Sequence, residues 1–364
     1  MFDDYLKEIN FDELYSFTQA KSLPPSSLSG HKLSLRNFAF LLSRAAQPHL
    51  ESLARRAHQL TVMRFGYTVN LYTPIYISNF CVNSCPYCSF NHTQPIQRKT
   101  LSLEEFTAEC RILKEMGFNS LLLVSGEAPR EINLKYISDC LQIAKSFFHQ
   151  VALEVYPLDQ PSYSTLKALG LDGVTLYQET YDRPLYETLH QTGPKSHYTY
   201  RLQTMDRAGA AGIKKLNLGF LLGLADWRRE ALHLAAHLQY LRKFYWQAEL
   251  SASFPRIREN SAQFSPPCPV PDKELAQLII ALRLFDPGLN LVLSTRENGH
   301  LRNSMLPLGI TTMSAGSKTN PGGYAGEASG TQFTISDERP PASLASYLRT
   351  QGYETVWKDW EIGI

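Results

Sequence analysis

This 364-residue sequence contains no apolar segment long enough to cross a lipid bilayer, so a membrane-spanning protein is not expected. Its N-terminus carries Asp3 and Asp4, which is unlike a signal peptide. The net charge is only +2, so no bulk electrostatic attraction favours a nucleic acid as partner. Only six cysteines are present, and three of them lie close together, unlike a disulfide framework. These features predict a protein of the reducing cytoplasm.

The three clustered cysteines are Cys81, Cys85 and Cys88, and the aromatic residue Tyr87 precedes the last of them. Thiolates are the ligands that iron–sulfur clusters select, and three of them leave one iron of a [4Fe–4S] cluster open to another ligand. This spacing resembles the signature of the radical S-adenosylmethionine (SAM) enzymes. The alternative is a zinc site completed by His92, in a binding protein without catalysis.

Short apolar runs alternate with amphipathic helical stretches from about residue 70 onward. The predicted strands are Asn70–Ile77, Ser120–Val124, Val151–Val155, Gly173–Tyr177, Lys215–Phe220, Gln247–Ser253, Asn290–Ser294 and Ile310–Met313. The predicted helices are Ser102–Met116, Asn133–Phe147, Ser162–Leu169, Ser196–Ala208, Trp227–Tyr245 and Asp272–Leu284. Repeated strand and helix units imply parallel pairing through right-handed crossovers.

Eight strands in this interval predict an α/β fold of the (β/α)8 TIM-barrel type. We expect an N-terminal helical extension over residues 1–66, a barrel over 67–320 and a C-terminal tail over 321–364 that ends in a helix and the short strand Glu354–Lys358. An open doubly wound sheet is the alternative, but no glycine-rich dinucleotide fingerprint opens a helix here.

Polar residues follow most of the predicted strands. They are Cys81, Ser125-Gly126-Glu127, Gln178-Glu179-Thr180, Arg256, Thr295-Arg296-Glu297 and Ser314. In a barrel, the carboxyl ends of the strands meet at one rim, where the chemistry of these enzymes takes place. We therefore expect Ser125, Glu179, Arg256, Arg296 and Ser314 to line one cavity together with the cysteine loop.

Several longer motifs occur in order along the chain. They include Arg98–Leu101, Leu121–Glu127, Tyr177–Tyr181, Ser253–Arg256, Leu293–Glu297, Lys318–Tyr324 and Val356–Trp360. With the cysteine motif, they make the chain similar to the radical SAM tyrosine lyases of thiamine biosynthesis, the 2-iminoacetate synthases. The similarity runs from about residue 70 to the C-terminus.

The resemblance implies two cofactors, a [4Fe–4S] cluster on Cys81, Cys85 and Cys88, and SAM bound to the open iron. It implies that the cofactor-binding residues are Tyr87, Ser125, Gly126, Glu127, Glu179 and Arg201. Arg296 is expected to bind the substrate carboxylate with Ser314 beside it, because a planar guanidinium suits a carboxylate. Ser251, Ser253 and Arg256 are candidates for reading the substrate phenol.

The implied reaction cleaves the Cα–Cβ bond of L-tyrosine to 2-iminoacetate (dehydroglycine) and p-cresol, with methionine and 5′-deoxyadenosine as co-products. The implied partners are thiazole synthase and a flavodoxin- or ferredoxin-type reductant. Two related activities stay open, a lyase for another aromatic amino acid such as tryptophan and a hydrogenase-maturation-type tyrosine lyase. The second type carries extra cysteines in a C-terminal extension, whereas this sequence has none after Cys268.

Overall fold

Eight parallel strands close into a barrel in the computed structural model, which describes residues 1–24, 33–258, 263–326 and 329–357. The strands are β1 (Thr68–Ser78), β2 (Ser120–Ser125), β3 (Gln150–Glu154), β4 (Gly173–Glu179), β5 (Lys215–Phe220), β6 (Glu249–Ser253), β7 (Asn290–Leu293) and β8 (Thr312–Ser314). Each strand pairs in parallel with the next, and β1 closes the barrel by pairing with both β2 and β8. The predicted barrel is confirmed, and the open sheet is excluded.

Alternation along β1 sorts its side chains between the inside of the barrel and the helical layer around it. Tyr72, Pro74 and Tyr76 face a cavity inside the barrel. Leu71 and Ile75, which alternate with them, are fully buried in the main hydrophobic core. Because successive side chains of a strand point to opposite faces, this pattern places the aromatic and polar groups of β1 where chemistry can use them.

Fourteen α-helices surround the strands in the described parts of the chain. They are α1 (Phe2–Lys7), α2 (Phe11–Thr18), α3 (Leu35–Leu41), α4 (Leu50–Phe65), α5 (Leu103–Glu115), α6 (Leu134–Phe147), α7 (Gln160–Ala168), α8 (Arg183–Leu189), α9 (Tyr198–Leu202), α10 (Thr204–Ala210), α11 (Trp227–Phe244), α12 (Asp272–Phe285), α13 (Gly299–Met305) and α14 (Pro341–Thr350). Short 3₁₀ helices span Arg44–His49, Pro194–Ser196 and Leu306–Leu308. No described helix is both long and apolar enough to cross a membrane.

The helix boundaries follow local signals in the sequence. Ser102 caps α5 through the amide of Glu105, whose carboxylate returns to the Ser102 amide, as a capping box requires. The helix predicted over Ser196–Ala208 is instead two short helices, α9 and α10. Neither α8 nor α13 was predicted, because seven residues carry less than two turns of helical periodicity.

The first helix of the chain and its last helix and strand pack on the outside of the barrel. The ring of Phe2 in α1 stacks on His237 of α11 with centroids 3.7 Å apart. After the barrel, α14 leads to β9 (Glu354–Val356), which pairs in parallel with the first residues of β1. The strand predicted over Glu354–Lys358 therefore ends at Val356; Lys358 and the rest of the Val356–Trp360 motif beyond Trp357 lie outside the described residues.

Candidate active site

The three clustered cysteines line a single cavity at the carboxyl-terminal rim of the barrel. The cavity contains about 590 Å³ of empty space, part of it open to solvent. Cys81, Cys85 and Cys88 reach it from the loop after β1, in which the amide of Cys88 donates to the carbonyl of Cys85 at 3.2 Å. Five of the six predicted cofactor-binding residues line the same cavity, namely Ser125, Gly126, Glu127, Glu179 and Arg201.

Arg98 fixes the shape of the cysteine loop through hydrogen bonds to backbone carbonyls. Its Nη1 donates to the carbonyls of Asn79 and Phe90 at 2.6 and 2.8 Å, and its Nη2 donates to those of Asn91 and Gln94 at 2.6 and 3.3 Å. One guanidinium thus satisfies four carbonyls on both sides of the three cysteines. Five rigid N–H donors suit Arg to this task, and Lys could not replace it.

The donor set fits an iron–sulfur cluster. Burial raises the pKa of Cys81 to about 11 and that of Cys85 to about 12, and it also raises the pKa of Cys88. Buried neutral thiols become ligands when a metal centre displaces their protons, and soft sulfur suits iron–sulfur clusters. His92 does not line the cavity, and its Nδ1 lies 3.0 Å from the carbonyl of Asn83, so a Cys3His zinc site is not assembled there.

Gly126 lets β2 approach the cysteine loop closely. Its amide donates to the carbonyl of Ser78 at 3.0 Å. A Cβ atom at this position would collide with the backbone carbonyl oxygen of Phe80 and lie 3.2 Å from the Cβ of Cys81. The absence of a side chain is therefore a steric requirement of the loop that carries the first cysteine.

We expect Gly126→Ala to displace the cysteine loop, because the Phe80 carbonyl has no flexible end that could move aside. The variant should bind less iron after anaerobic reconstitution and lose about 1–3 kcal/mol of stability, as overpacked sites do. Gly288→Ala is the matched control, since its nearest neighbours lie at 3.6 Å. Iron content and melting temperature like those of the wild type in Gly126→Ala would contradict the steric assignment.

Two carboxylates and two cations form a buried network in the wall of this cavity. Arg201 pairs with Glu127 at 2.7 Å and with Glu179 at 3.5 Å, and Lys195 pairs with Glu179 at 2.6 Å. Asn83 completes the network by donating to the second carboxylate oxygen of Glu127 at 3.0 Å. Burial alone would raise the pKa of Glu179, but Lys195 and Arg201 hold it below its usual value.

The backbone of Glu179 is strained. Its φ of 69° lies in the left-handed region that non-glycine residues rarely adopt, and the pairing of β4 with β5 shifts register between Tyr177 and Glu179. Such outliers persist only where the surrounding structure overdetermines them, and they cluster at functional sites. Here the bulge turns the carboxylate of Glu179 towards Lys195 and the cavity.

Tyr87, predicted among the cofactor-binding residues, does not line the cavity and instead packs in a small hydrophobic cluster with Cys85. Its hydroxyl lies 2.6 Å from Nε2 of His190, and its ring packs edge-on against the same histidine. Desolvation lowers the pKa of His190 to about 2, so the imidazole stays neutral. Its Nδ1 donates to the carbonyl of Tyr186 at 2.8 Å, which leaves Nε2 to accept from the phenol. Tyr87 therefore links the cysteine loop to His190, the residue that follows α8.

Arg296 and Ser314 line a second cavity of about 480 Å³ that adjoins the first. Four residues belong to both cavities, namely Val124, Glu154, Tyr177 and Gln332. The guanidinium of Arg296 lies 3.6 Å from the ring centroid of Phe333 and forms no ion pair with any carboxylate of the described chain. The hydroxyl of Ser314 accepts from the amide of Thr295 at 3.0 Å, which fixes the turn leading to Arg296.

Arg256 was expected in the cavity wall, and that expectation is wrong. Its guanidinium pairs with Glu297 and, at 2.8 Å, with Asp272, and it also donates to the carbonyl of Val270. Glu297 pairs with Arg258 as well. Because two arginines already hold Glu297, this carboxylate does not brace Arg296.

The other two candidates for reading the phenol do not line this cavity either. Ser251 lines a third cavity at the amino-terminal mouth of the barrel, next to Lys215 and Glu249. The hydroxyl of Ser253 exchanges hydrogen bonds with the side chain of Asn217 at 3.1 and 3.2 Å. Ser251 is excluded by its position, and Ser253 is already committed to a partner.

Sequence reasoning missed several residues of the two cavities. Asn83 lies in the cysteine loop, Lys195 lies in the short 3₁₀ helix Pro194–Ser196, and Glu154 is the last residue of β3. Gln332 and Phe333 come from the tail, where the amide of Gln332 lies 3.9 Å from the sulfur of Cys88. Nothing in the predicted strand Val151–Val155 distinguished Glu154, and the tail residues gave no signal either.

Comparison with known proteins identifies the family of the chain. The chain matches the family model of the Radical SAM superfamily over residues 75–235 and that of the Biotin and Thiamin Synthesis associated domain over residues 253–354. It is 41% identical to the 2-iminoacetate synthases of Salmonella typhimurium and of Escherichia coli, in each case over 99% of this chain and 97% of the relative.

Two solved structures superpose on most of the chain. The FeFe-hydrogenase maturase HydG from Carboxydothermus hydrogenoformans superposes with a TM-score of 0.90 and 30% identity, over 99% of this chain and 86% of that chain. Methylornithine synthase superposes with a TM-score of 0.75 at 21% identity, over 92% of this chain and 97% of that chain, and shares the fold. The full-length similarity shows that the chain belongs to the 2-iminoacetate synthase family of radical SAM enzymes.

Proposed function

We propose that this chain cleaves the Cα–Cβ bond of L-tyrosine to 2-iminoacetate and p-cresol, with methionine and 5′-deoxyadenosine formed from SAM. The observation that carries the assignment is the shared wall between the cavity of the three cysteines and the cavity of Arg296. A substrate whose carboxylate binds Arg296 would extend toward the cofactor cavity. The relatives of nearly equal length are named 2-iminoacetate synthases, which supports the same reaction.

Cys81, Cys85 and Cys88 would hold the [4Fe–4S] cluster, and Ser125, Gly126, Glu127, Glu179 and Arg201 would surround SAM. When bound, these cofactors supply the electron and the 5′-deoxyadenosyl radical that start the reaction. The charged network lines the space in which the zwitterionic end of SAM would bind, and its carboxylates and cations already pair with one another. Its side chains are nearly dry, with Arg201 only 4% exposed, which strengthens each interaction.

Arg296 would position the substrate. Its guanidinium rests on Phe333 and has no carboxylate partner among the described residues, so it is available for a bidentate pair with the tyrosine carboxylate. Tyr72, Tyr76 and Tyr177 form an aromatic lining around the same cavity. Holding the carboxylate fixes which part of the substrate faces the cofactor cavity, and that orientation decides which bond breaks.

Partners and location follow from the chemistry. Because 2-iminoacetate hydrolyses readily, direct transfer to a thiazole synthase is a reason for the two proteins to bind. A flavodoxin- or ferredoxin-type protein would supply the electron. None of the six cysteines forms a disulfide in the described chain, which supports a reducing cytoplasm as the location.

A product assay tests the proposed function. Anaerobically reconstituted protein should contain about four irons per chain and, with SAM and a reductant, release p-cresol from tyrosine together with 5′-deoxyadenosine. Parallel reactions with tryptophan and with phenylalanine should give no cleaved side chain, and a tyrosine reaction without SAM is the control. Cleavage of tryptophan but not tyrosine would overturn the substrate, and formation of CO and cyanide would indicate the hydrogenase-maturation reaction.

A further inference from the structure

Glu154 occupies the boundary between the two cavities. It is the last residue of β3, and it lines both the cysteine cavity and the Arg296 cavity. Tyr177 of β4 and Val124 of β2 flank it in the same shared wall. A substrate held by Arg296 and directed at the cofactor must pass this carboxylate.

Glu154 is also the carboxylate that remains available. Three carboxylates line the two cavities within the described residues, and Arg201, Lys195 and Asn83 occupy Glu127 and Glu179. Glu154 forms no hydrogen bond or ion pair with any side chain in the described ranges. The two cavities thus present one free cation, Arg296, and one free anion, Glu154, across the same space.

The free cation and the free anion complement the carboxylate and the ammonium group of an amino acid. On the basis of the tyrosine-lyase function proposed above, we propose that Glu154 binds the α-ammonium group of the substrate and accepts one proton from it. The proton moves from the ammonium nitrogen to a carboxylate oxygen, which leaves a neutral amine and a neutral Glu154, and no electron is transferred. The amine then faces the cofactor cavity with Arg296 holding the carboxylate on the other side.

The surroundings suit a proton acceptor. Burial and the charge of Glu179 raise the pKa of Glu154 to about 7, while Arg296, Arg201 and Lys195 oppose that rise. The phenols that share a cavity with Glu154 are those of Tyr72 and Tyr76 of β1 and Tyr177 of β4. Burial raises the pKa of each of these phenols, so they stay protonated and do not compete as bases.

A ligand comparison isolates the ammonium contact. The probes are L-tyrosine and 3-(4-hydroxyphenyl)propionate, which lacks only the amine, and both are titrated into the SAM-loaded holoenzyme by anaerobic calorimetry. Glu154→Gln should weaken tyrosine binding by about ten- to a hundredfold, as loss of a charge-assisted hydrogen bond does. Binding of the amine-free probe should change by less than about threefold, because an uncharged ligand end makes no ion pair with Glu154. Equal losses for both probes, or no loss for either, would overturn the assignment.

The pH dependence tests the proton transfer. A base with a raised pKa is ionised above that pKa, so wild-type kcat/KM for p-cresol formation should fall as the pH drops below about 7. This acid limb should vanish in Glu154→Gln, which keeps only slow turnover. The matched control is Glu249→Gln, at the opposite mouth of the barrel, which should keep the limb. An acid limb retained in Glu154→Gln would assign the base elsewhere.

The wild-type protein gives a test that does not depend on the variant folding. Its preference for tyrosine over the amine-free probe should weaken as the pH falls through about 7, because a neutral Glu154 loses the ion pair. A preference that does not change with pH would refute the ammonium contact. Absence of p-cresol from the wild type would instead refute the tyrosine-lyase function, so the two failures are distinguishable.

Discussion

Cys85→Ala should abolish both cluster binding and SAM cleavage. Cys85 is 4% exposed and is the most buried residue of the three cysteines, so no solvent ligand can readily take its place. Oxygen is also a poor substitute for sulfur on the iron of such clusters. We expect iron in anaerobically reconstituted protein to fall from about four per chain to well below one, with no 5′-deoxyadenosine above background.

The other three cysteines supply the controls for this experiment. Cys110 and Cys140 are buried in α5 and α6, outside the barrel, and Cys268 is exposed. Their alanine variants should keep the cluster, although the first two should lose roughly 1 kcal/mol through a small cavity in the core. Full iron content in Cys85→Ala, or lost iron in Cys268→Ala, would overturn the ligand assignment.

The barrel could be predicted because each strand is a short apolar run that can be recognised from a few residues of sequence. The eight predicted strands begin and end within two residues of the observed ones. Short apolar runs separated by amphipathic helices leave little freedom once parallel pairing and right-handed crossovers are assumed. Hydrophobic periodicity did not reveal α8 and α13, because each has only seven residues. Their capping residues, Asp182 and Asn298, mark where a helix can begin but do not by themselves predict one.

The site was predictable where the backbone decides it and unpredictable where side chains compete. Ser125, Glu127 and Glu179 lie at strand ends, and the closure of the barrel brings them together whatever their neighbours are. Arg256 also follows a strand, but Glu297 and Asp272 capture its guanidinium, and this choice depends on distances across the rim. Partner selection among charges is a three-dimensional property that spacing along the chain does not encode.

Glu154 shows a second limit of predicting the site from the sequence. In the sequence it is one polar residue within the apolar run of β3, and its neighbours resemble those of any strand. Its importance comes from what the fold leaves unpaired. Lys195 and Arg201 satisfy the other carboxylates of the wall, and only Glu154 remains available to a ligand within the described site.

Arg296→Lys should uncouple SAM cleavage from tyrosine cleavage. The lysine keeps the positive charge but lacks the planar fork that grips both carboxylate oxygens, and it stacks less well on Phe333. The substrate should shift relative to the cofactor cavity, and a displacement of about 1 Å can reduce a rate on the order of a hundredfold. SAM affinity should be unchanged, because Arg296 lines the second cavity and not the cysteine cavity.

Measuring 5′-deoxyadenosine and p-cresol in the same reaction decides the role of Arg296. Uncoupling predicts that 5′-deoxyadenosine still forms slowly while p-cresol falls sharply, so their ratio rises well above that of the wild type. Arg256→Lys is the matched control, since that arginine braces the rim through Glu297 and should cost stability without changing the ratio. Loss of both products together with SAM affinity would move Arg296 to the cofactor. An unchanged p-cresol yield would mean that the substrate carboxylate binds elsewhere, because Glu297 is already held by Arg256 and Arg258 and leaves Arg296 no bracing partner there.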